Sequence, residues 1–223
     1  MMSNTPDTAR ATVNVGGVVV VGVILAGGRG RRMAGVDKLS SVLAGRSLLA
    51  RVIERAQPQV ARLAINANGD AGRLVDYSLP VLADSIADFA GPLAGVLAGM
   101  EWAASQPDCR WLVTFPADAP FLPYDLVGRL LNAAMAASAS MALATSGGRL
   151  HPVFGLWSPQ LRGDLRRALV EEGLRKVDLW TARHHPACVN YPVDPVDPFF
   201  NVNRPADLTE AERLLPVVEA LGR

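Results

Sequence analysis

A loop rich in glycine and basic residues follows a strongly apolar stretch near the start of the chain. Residues 25–38 read Leu-Ala-Gly-Gly-Arg-Gly-Arg-Arg-Met-Ala-Gly-Val-Asp-Lys, and residues 18–25 are mostly β-branched. Glycine lets backbone N–H groups approach a ligand with no Cβ in between, while the arginines and the lysine add fixed positive charge. A buried strand that runs into such a loop predicts a binding site for a polyphosphate.

Two familiar phosphate-binding loops do not fit these residues. A P-loop requires Gly-Lys-Ser/Thr, which occurs nowhere in the chain. The dinucleotide-binding fingerprint begins with Gly28 and Gly30, but Met33 stands where its third glycine belongs. The segment is therefore either another kind of anion site or a glycine-rich surface loop, and its cationic residues favour the anion site.

Three polar residues, Asn66, Asp84 and Asp118, each follow a short apolar run. Ligands of parallel sheets bind outside the carboxyl ends of the strands, so we expect these side chains to share a crevice with the glycine-rich loop. Asp118 offers the hard oxygen that Mg²⁺ prefers, although an aspartate before Pro120 also suits an ordinary turn. Asp84 could contact a base or a ribose, or it could cap a loop.

Residues 91–95, Gly-Pro-Leu-Ala-Gly, predict the start of a helix. Proline suits the first helical turn, and the small residues would allow a flat base to approach closely. The alternative is an ordinary helix that begins with proline. We expect no histidine to be catalytic, because His184 and His185 are adjacent and point in different directions.

Strand-like and helix-like segments alternate along most of the chain. This order predicts an α/β fold with three layers, in which a mainly parallel twisted sheet carries helices on both faces. The predicted strands are 18–25, 60–66, 80–83, 110–115, 141–145, 152–157 and 187–191, with a short extended piece at 40–44, and the predicted helices are 48–57, 92–105, 123–137, 159–172, 176–183 and 205–221. Residues 1–16 are predicted to be a disordered extension, and residues 17–223 a single domain.

Composition narrows the class of protein. The chain has 223 residues with a net charge of +1, so it offers no broad basic surface, and we expect no nucleic-acid binding. The longest apolar run, residues 18–25, is too short to span a bilayer, and we expect no membrane partner. Cys109 and Cys188 have no metal-type spacing and favour a reducing, cytoplasmic environment.

Six motifs in order resemble those of nucleotidyltransferases with the nucleotide-diphospho-sugar transferase fold, and together they resemble the molybdenum cofactor guanylyltransferase family. The resemblance covers roughly residues 18–215 and implies a Rossmann-like nucleotidyltransferase fold. The motifs are Leu25-Ala26-Gly27-Gly28 with Arg32-Met33 and Asp37-Lys38, Asn66-Ala67-Asn68, Asp84-Ser85 with Asp88, Gly91-Pro92-Leu93-Ala94-Gly95, Pro116-Ala117-Asp118-Ala119-Pro120, and Asn201-Val202-Asn203-Arg204-Pro205.

The resemblance implies transfer of GMP from GTP to the terminal phosphate of molybdopterin, with release of pyrophosphate. It implies nucleotide binding in the N-terminal half, by Leu25, Ala26, Gly27, Gly28, Lys38, Asn66, Asp84, Pro92, Leu93, Gly95 and Asp118. Asp118 would also bind Mg²⁺, the one implied cofactor. Arg32 and Lys38 would act with Asp118 in catalysis, by screening the triphosphate and the departing pyrophosphate. A phosphate nucleophile is already ionised near neutral pH, so no general base is needed.

The C-terminal half would then bind the acceptor. Asn201 and Asn203 match a motif on the pterin side, and His151, Arg175 and Lys176 are further candidate contacts. Cofactor-synthesis proteins and apo-molybdoenzymes, or their chaperones, are implied as transient partners. The chain departs from the family at position 117, where alanine replaces a common cysteine; both residues are small, so this change puts little in doubt.

Other functions stay open. Molybdopterin cytidylyltransferases usually read Leu-Ala-Ala-Gly in the first motif, whereas this chain has Leu-Ala-Gly-Gly at residues 25–28, which favours guanine. The motif at residues 201–205 argues against a sugar-1-phosphate nucleotidyltransferase. A non-catalytic nucleotide sensor or cofactor carrier on the same fold would be expected to lack Lys38 or Asp118, and both are present.

Overall fold

A computed structural model describes residues 14–15, 17–27, 32–33, 36–37, 41–86 and 91–222 of the chain. Twelve strands lie in these ranges, and eight of them form the central sheet. The strands are β1 (Asn14–Val15), β2 (Val18–Leu25), β3 (Arg32–Met33), β4 (Val36–Asp37), β5 (Val42–Leu43), β6 (Arg46–Ser47), β7 (Arg62–Asn66), β8 (Val81–Leu82), β9 (Cys109–Pro116), β10 (Met141–Ser146), β11 (Arg149–Trp157) and β12 (Ala187–Tyr191).

The central sheet has the strand order β12-β10-β11-β9-β2-β7-β8, with β1 paired to β2. Strand β2 runs parallel to β7 and β9, β7 runs parallel to β8, and β10 runs parallel to β12. The expected mainly parallel sheet is therefore confirmed. Because Asn14 and Val15 pair with β2, the sheet begins inside the segment that was predicted to be a disordered extension.

Strand β11 lies inside the sheet but runs antiparallel to both neighbours, β9 and β10. Its direction follows from the two-residue turn at Gly147 and Gly148, whose φ angles are +53° and +74°. Positive φ at both positions suits the hairpin turns that glycine favours, and such a short turn can only join antiparallel strands. As a result, the beginning of β11 lies at the same edge of the sheet as the carboxyl ends of the parallel strands.

Helices cover both faces of the sheet, as predicted. They are α1 (Leu48–Ala56), α2 (Pro92–Ser105), α3 (Leu126–Ala136), α4 (Arg162–Val170), α5 (Val177–Thr181) and α6 (Pro205–Ala220). Helices α1 and α3 pack on one face, α2, α4 and α5 on the other, while α6 packs against β5 and the chain that precedes α6. Among the described residues, no helix is both long and apolar enough to cross a membrane.

The apolar run of β2 serves both faces of the sheet. Val20 and Ile24 belong to the core beneath α1 and α3, whereas Val21 and Val23 belong to the core beneath α2 and α4. Side chains alternate between the faces of a strand, so a strand that is buried on both sides must be apolar throughout. This explains why the run predicted a central strand.

Helix α3 begins at Leu126, three residues later than predicted. Buried Gln59 explains the delay, because its side chain satisfies the backbone at the start of the helix. Its Nε2 donates to the carbonyl of Pro123 at 2.9 Å, and its Oε1 accepts from the backbone N–H of Val127 at 3.0 Å. This cap comes from 68 residues earlier in the chain, so local sequence signals do not show it.

Candidate active site

The carboxyl ends of three central strands are fastened together at one edge of the sheet. After β2, the backbone N–H of Ala26 donates to the carbonyl of Asn66 at 2.9 Å, and that of Ala117 donates to the carbonyl of Leu25 at 3.2 Å. Gly27 follows, and a Cβ there would lie 3.3 Å from Oδ1 of Asn66. The start of the glycine-rich loop therefore lies directly between the segments that carry Asn66 and Asp118.

Two asparagine side chains hold the carboxylate of Asp84. Nδ2 of Asn66 donates to Oδ1 of Asp84 at 2.9 Å, and Nδ2 of Asn68 donates to Oδ2 at 2.7 Å. Asn68 also accepts from the backbone N–H of Asp84 at 2.9 Å. Both carboxylate oxygens are thus fixed from the protein side, and their remaining lone pairs can accept hydrogen bonds from a ligand. The sequence had marked Asn68 only as part of a motif, without a role.

The first turn of α2 packs tightly on this cluster. A Cβ at Gly95 would lie 2.3 Å from Oδ1 of Asn66 and 2.9 Å from Cδ2 of Leu25, so only glycine fits. Pro92 is half-buried at the start of the helix, whereas the side chain of Leu93 is 1% exposed and lies in the core. Gly95 does allow a close approach, and the group that approaches it in the structure is the amide of Asn66; the approach of a base stays a prediction. For Leu93, contact with a ligand would therefore have to come from the backbone, because its side chain is buried.

Asp118 lies just beyond β9, the strand between β11 and β2 in the sheet. Its carbonyl accepts a hydrogen bond from the backbone N–H of Val202 at 2.9 Å, which brings the motif at residues 201–205 to the end of β9. Oδ1 of Asn201 is buried and has no hydrogen-bond partner among the described residues. A buried amide oxygen without a partner, on the segment that bonds to the backbone of Asp118, is a group that a ligand could satisfy.

The same motif also begins α6. Oδ2 of Asp207 accepts from the backbone N–H groups of Asn203 and Arg204, both at 2.8 Å. These bonds satisfy donors at the helix start, as in a capping box. Asp207 therefore fixes the backbone of Asn203, and the sequence analysis missed it, although an acidic residue three positions into a helix is a recognisable capping signal.

Residues 192–204, which we name the edge segment, connect β12 to α6 across the carboxyl edge of the sheet. Oδ1 of Asp197 accepts from Oγ of Ser146 at 2.9 Å and from the backbone N–H of Phe199 at 3.0 Å. Oγ of Ser146 lies 2.7 Å from Nε2 of His151. The sequence analysis named His151 but missed Ser146 and Asp197, which are 51 residues apart.

Arg175 and Lys176 lie in a different place from the other predicted acceptor contacts. Both side chains are exposed in the turn between α4 and α5, and the side chain of Arg175 donates to the carbonyl of Leu174 at 3.1 Å. The carbonyl oxygen of Arg175 would lie 3.8 Å from a Cβ at Gly91, the residue before α2. The structure thus brings these two residues to the start of α2 and leaves His151 and Asn201 with the edge segment.

The side-chain oxygens of Asp118 and Asn201 are of the chemical kind that Mg²⁺ prefers. Among the described residues, no three histidine, cysteine or acidic side chains form a metal-binding group. Mg²⁺ does not require such a group, because it commonly binds through one or two carboxylates, substrate phosphates and water. Asp118 carries a carboxylate, and Asn201, the residue before the backbone donor to Asp118, carries a buried amide oxygen.

Part of the predicted phosphate-binding set lies outside the described residues. This applies to Gly28 and Lys38, while Arg32 is described only as backbone in the short hairpin of β3 and β4. That hairpin stands where a dinucleotide-binding turn would lead directly into a helix. The roles of these three residues stay predictions.

Comparison with known proteins agrees with the motifs. The family described as the MobA-like NTP transferase domain matches residues 22–187. A molybdenum cofactor guanylyltransferase of Rhodopseudomonas palustris (strain BisB5) is 55% identical over 193 residues, which are 86% of this chain and 92% of that relative. Another from Bradyrhizobium sp. (strain ORS 278) is 55% identical over 87% of this chain and 92% of its own length. This chain belongs to the molybdenum cofactor guanylyltransferase family.

The fold of the family is also seen in solved structures. Molybdopterin-guanine dinucleotide biosynthesis protein A from Archaeoglobus fulgidus superposes with a TM-score of 0.69 at 24% sequence identity, covering 89% of this chain and 100% of that one. At this level of sequence identity, the match shows a shared fold and nothing further. It confirms the predicted Rossmann-like nucleotidyltransferase architecture.

Proposed function

We propose that this member of the guanylyltransferase family transfers GMP from GTP to the terminal phosphate of molybdopterin, releasing pyrophosphate and forming the guanine dinucleotide cofactor. One observation carries the proposal beyond family membership. The hydrogen bond from Val202 to the carbonyl of Asp118 joins the nucleotide-side strand ends to the segment that carries Asn201 and Asn203. A nucleotide and an acceptor bound on either side of this junction would meet beside Asp118.

On the nucleotide side, we assign GTP to the crevice formed by residues 25–27, the Asp84 cluster and the start of α2. The carboxylate of Asp84 is held by Asn66 and Asn68, so it can accept hydrogen bonds from the base or the ribose without reorganising. The N–H groups at the start of α2 point toward the same edge and favour negative charge.

The reaction requires an oxygen of the acceptor phosphate to attack the α-phosphorus of GTP. A new oxygen–phosphorus bond forms while the bond from the α-phosphorus to the bridging oxygen breaks, and pyrophosphate leaves with that electron pair. Both reactants are anions, so the protein must neutralise charge and align the attack. We assign the neutralisation to Arg32 and Lys38 on the pyrophosphate side, and no general base is needed for an ionised phosphate.

We propose Mg²⁺ as the metal cofactor, with Asp118 as its protein carboxylate and Asn201 as a nearby oxygen ligand. When held there by Asp118 and Asn201, the ion would supply positive charge that stabilises the negative charge built up during transfer. The task of Asp118 itself is to hold a negative oxygen at a fixed position, which the bond from Val202 to its carbonyl supports.

For the acceptor, we assign the region between the edge segment and the beginning of β11. His151, Asn201 and Asn203 lie there, whereas Arg175 and Lys176 lie beside the start of α2 and suit a phosphate of either substrate. Hand-over of the product to apo-molybdoenzymes or their chaperones is part of the proposal. Both cysteines are free, which agrees with the predicted cytoplasmic location.

The test is pyrophosphate release from GTP, CTP and ATP at equal concentration, with Mg²⁺ and with or without molybdopterin. We expect release that depends on the acceptor and is fastest with GTP, together with a guanine dinucleotide product by mass spectrometry. Fastest release from CTP would replace the guanylyl assignment by a cytidylyl one. Binding of GTP without release from any nucleotide would indicate a sensor or carrier.

A further inference from the structure

A chain of three hydrogen-bonded side chains crosses from the edge segment to β11. Asp197 accepts from Ser146 at 2.9 Å, and the hydroxyl of Ser146 lies 2.7 Å from Nε2 of His151. Ser146 is 1% exposed, while His151 is half-buried. The buried serine therefore holds Nε2 of the imidazole by a hydrogen bond, while the ring as a whole stays partly exposed to solvent.

The protons in this chain can be assigned by counting donors. A carboxylate only accepts hydrogen bonds, so the single hydroxyl proton of Ser146 is directed to Asp197. The oxygen of Ser146 can then only accept from the imidazole, which places the ring proton of His151 on Nε2. Nδ1 of His151 has no hydrogen-bond partner in the described part of the chain, so the neutral ring offers an acceptor lone pair there.

The surroundings of the ring favour this neutral form. Burial lowers the pKa of His151, and the charge of Arg149 lowers it further, while Asp197 opposes both. The ring packs against Phe199 with centroids 4.7 Å apart, and it meets Phe154 edge-on at 6.3 Å. The aromatic contacts fix the plane of the imidazole, and the bond to Ser146 fixes its rotation.

Two features place His151 at the same edge of the sheet as Asp118. His151 lies near the beginning of β11 and pairs with Ala144 of β10 beyond a break in the register, towards the edge where β9 leads into Asp118. The edge segment gives an upper bound, because the five residues from Asp197 to Val202 span at most about 18 Å when fully extended. An acceptor whose phosphate lies beside Asp118 would therefore have His151 along the same edge of the sheet.

We propose that Ser146 and Asp197 position His151 so that its Nδ1 accepts a hydrogen bond from an N–H group of the flat ring system of the acceptor. This inference rests on the proposed function, in which that ring system is a pterin, a heterocycle with amide and amine N–H donors. The phosphate is the less suitable partner, because the lone pair at Nδ1 faces an anion unfavourably. His151 would thus select the acceptor, with no part in proton transfer.

The tautomer is tested by NMR on protein with ¹⁵N-labelled histidine, with the His151 signals assigned from a His151→Gln variant. We expect the Nε2–H tautomer at neutral pH in the wild type and a mixture of tautomers in Ser146→Ala. A wild-type ring with its proton on Nδ1, or with both nitrogens protonated, would overturn the proposal. This measurement does not depend on catalysis, so it stands even if GMP transfer is not observed.

The selection is tested by measuring KM for molybdopterin and KM for GTP separately in two variants. Ser146→Ala removes the bond that orients the ring, and His151→Gln keeps a donor toward Ser146 but lacks Nδ1. We expect each variant to raise KM for molybdopterin at least fivefold and to leave KM for GTP within twofold. Equal changes in both KM values, or none in either, would overturn the proposal. Absence of transfer by the wild type would instead contradict the proposed function.

Discussion

The proposed nucleotide half and the proposed acceptor half of the edge are built in different ways. On the nucleotide side, Asn66, Asn68 and Asp84 satisfy one another and lie within 18 residues of chain. On the acceptor side, Asn201 keeps a buried oxygen without a partner among the described residues, and Nδ1 of His151 is equally open. The polar side chains of the first half bond to one another, while the second half holds polar atoms without a partner among the described residues.

The largest effect is expected at the junction of the two halves. Asp118→Asn keeps the size of the side chain but removes its charge, and turnover should fall about 10²-fold or more, as when a group that stabilises transition-state charge is lost. Glu212→Gln neutralises an exposed carboxylate on α6, outside the segment that bonds to Asp118, and is the matched control. Single-turnover formation of the dinucleotide product is the measurement, and near-normal rates would remove Asp118 from the metal role.

The next effect concerns the packing of α2 on the nucleotide half. In Gly95→Ala the new methyl group would lie 2.3 Å from Oδ1 of Asn66, whose amide is held by Asp84 and cannot yield freely. We expect the free energy of unfolding to fall by about 1–3 kcal/mol and GTP binding to weaken. Urea denaturation and calorimetric titration with GTP measure the two effects.

Gly163→Ala supplies the control for that change. Gly163 lies in α4, and nothing is within 4 Å of a Cβ at this position. The same substitution there should raise stability by about 0.5–1 kcal/mol, because alanine restricts the unfolded chain and favours a helix. If both variants were equally stable, the tight contact between Gly95 and Asn66 would have no energetic meaning.

A smaller effect should separate nucleotide from acceptor. Asn68→Ala removes one of the two amides that orient Asp84. Loss of this hydrogen bond should reduce the free energy of GTP binding by about 1 kcal/mol, which weakens binding about fivefold. KM for molybdopterin should stay unchanged, because Asn68 lies on the far side of β2 from the edge segment. Asn132→Ala, at an exposed position of α3, is the control, and an equal rise in both KM values would show that the two halves are coupled.

The smallest effect is expected from the cap of α6. Asp207→Ala removes the acceptor for the backbone N–H groups of Asn203 and Arg204, and should lower the free energy of unfolding by about 1 kcal/mol. A modest rise in KM for molybdopterin should accompany it, since Asn203 loses its anchor. Glu212→Ala, one turn further along α6, should change neither quantity. If Asp207→Ala left the free energy of unfolding and KM for molybdopterin unchanged, other contacts would hold Asn203 in place.

The sequence predicted most of the fold because its signals are local. The apolar run at residues 18–25 and the proline at position 92 predicted β2 and α2 with the bounds that the structure has. The late start of α3 was missed, because Gln59 caps it from a distant part of the chain. Short-range periodicity carries no information about such a contact.

The candidate site also divides into residues that local motifs predict and residues that depend on long-range contacts. Motifs at strand ends led to Asn66, Asp84 and Asp118, which the parallel sheet brings to one edge. Ser146 and Asp197 were missed because they meet only after the edge segment crosses the sheet. Ser146 is a polar residue at the end of an apolar strand and before a glycine turn, which is the one signal that could have found it.

The most direct test of a site with two separate halves is a crossed measurement on Asn68→Ala and His151→Gln. KM for GTP and KM for molybdopterin would be determined for both variants and for the wild type under one set of conditions. Asn68→Ala should raise only KM for GTP, and His151→Gln should raise only KM for molybdopterin. If either variant raised both KM values by the same factor, the division of the edge into a nucleotide half and an acceptor half would be contradicted.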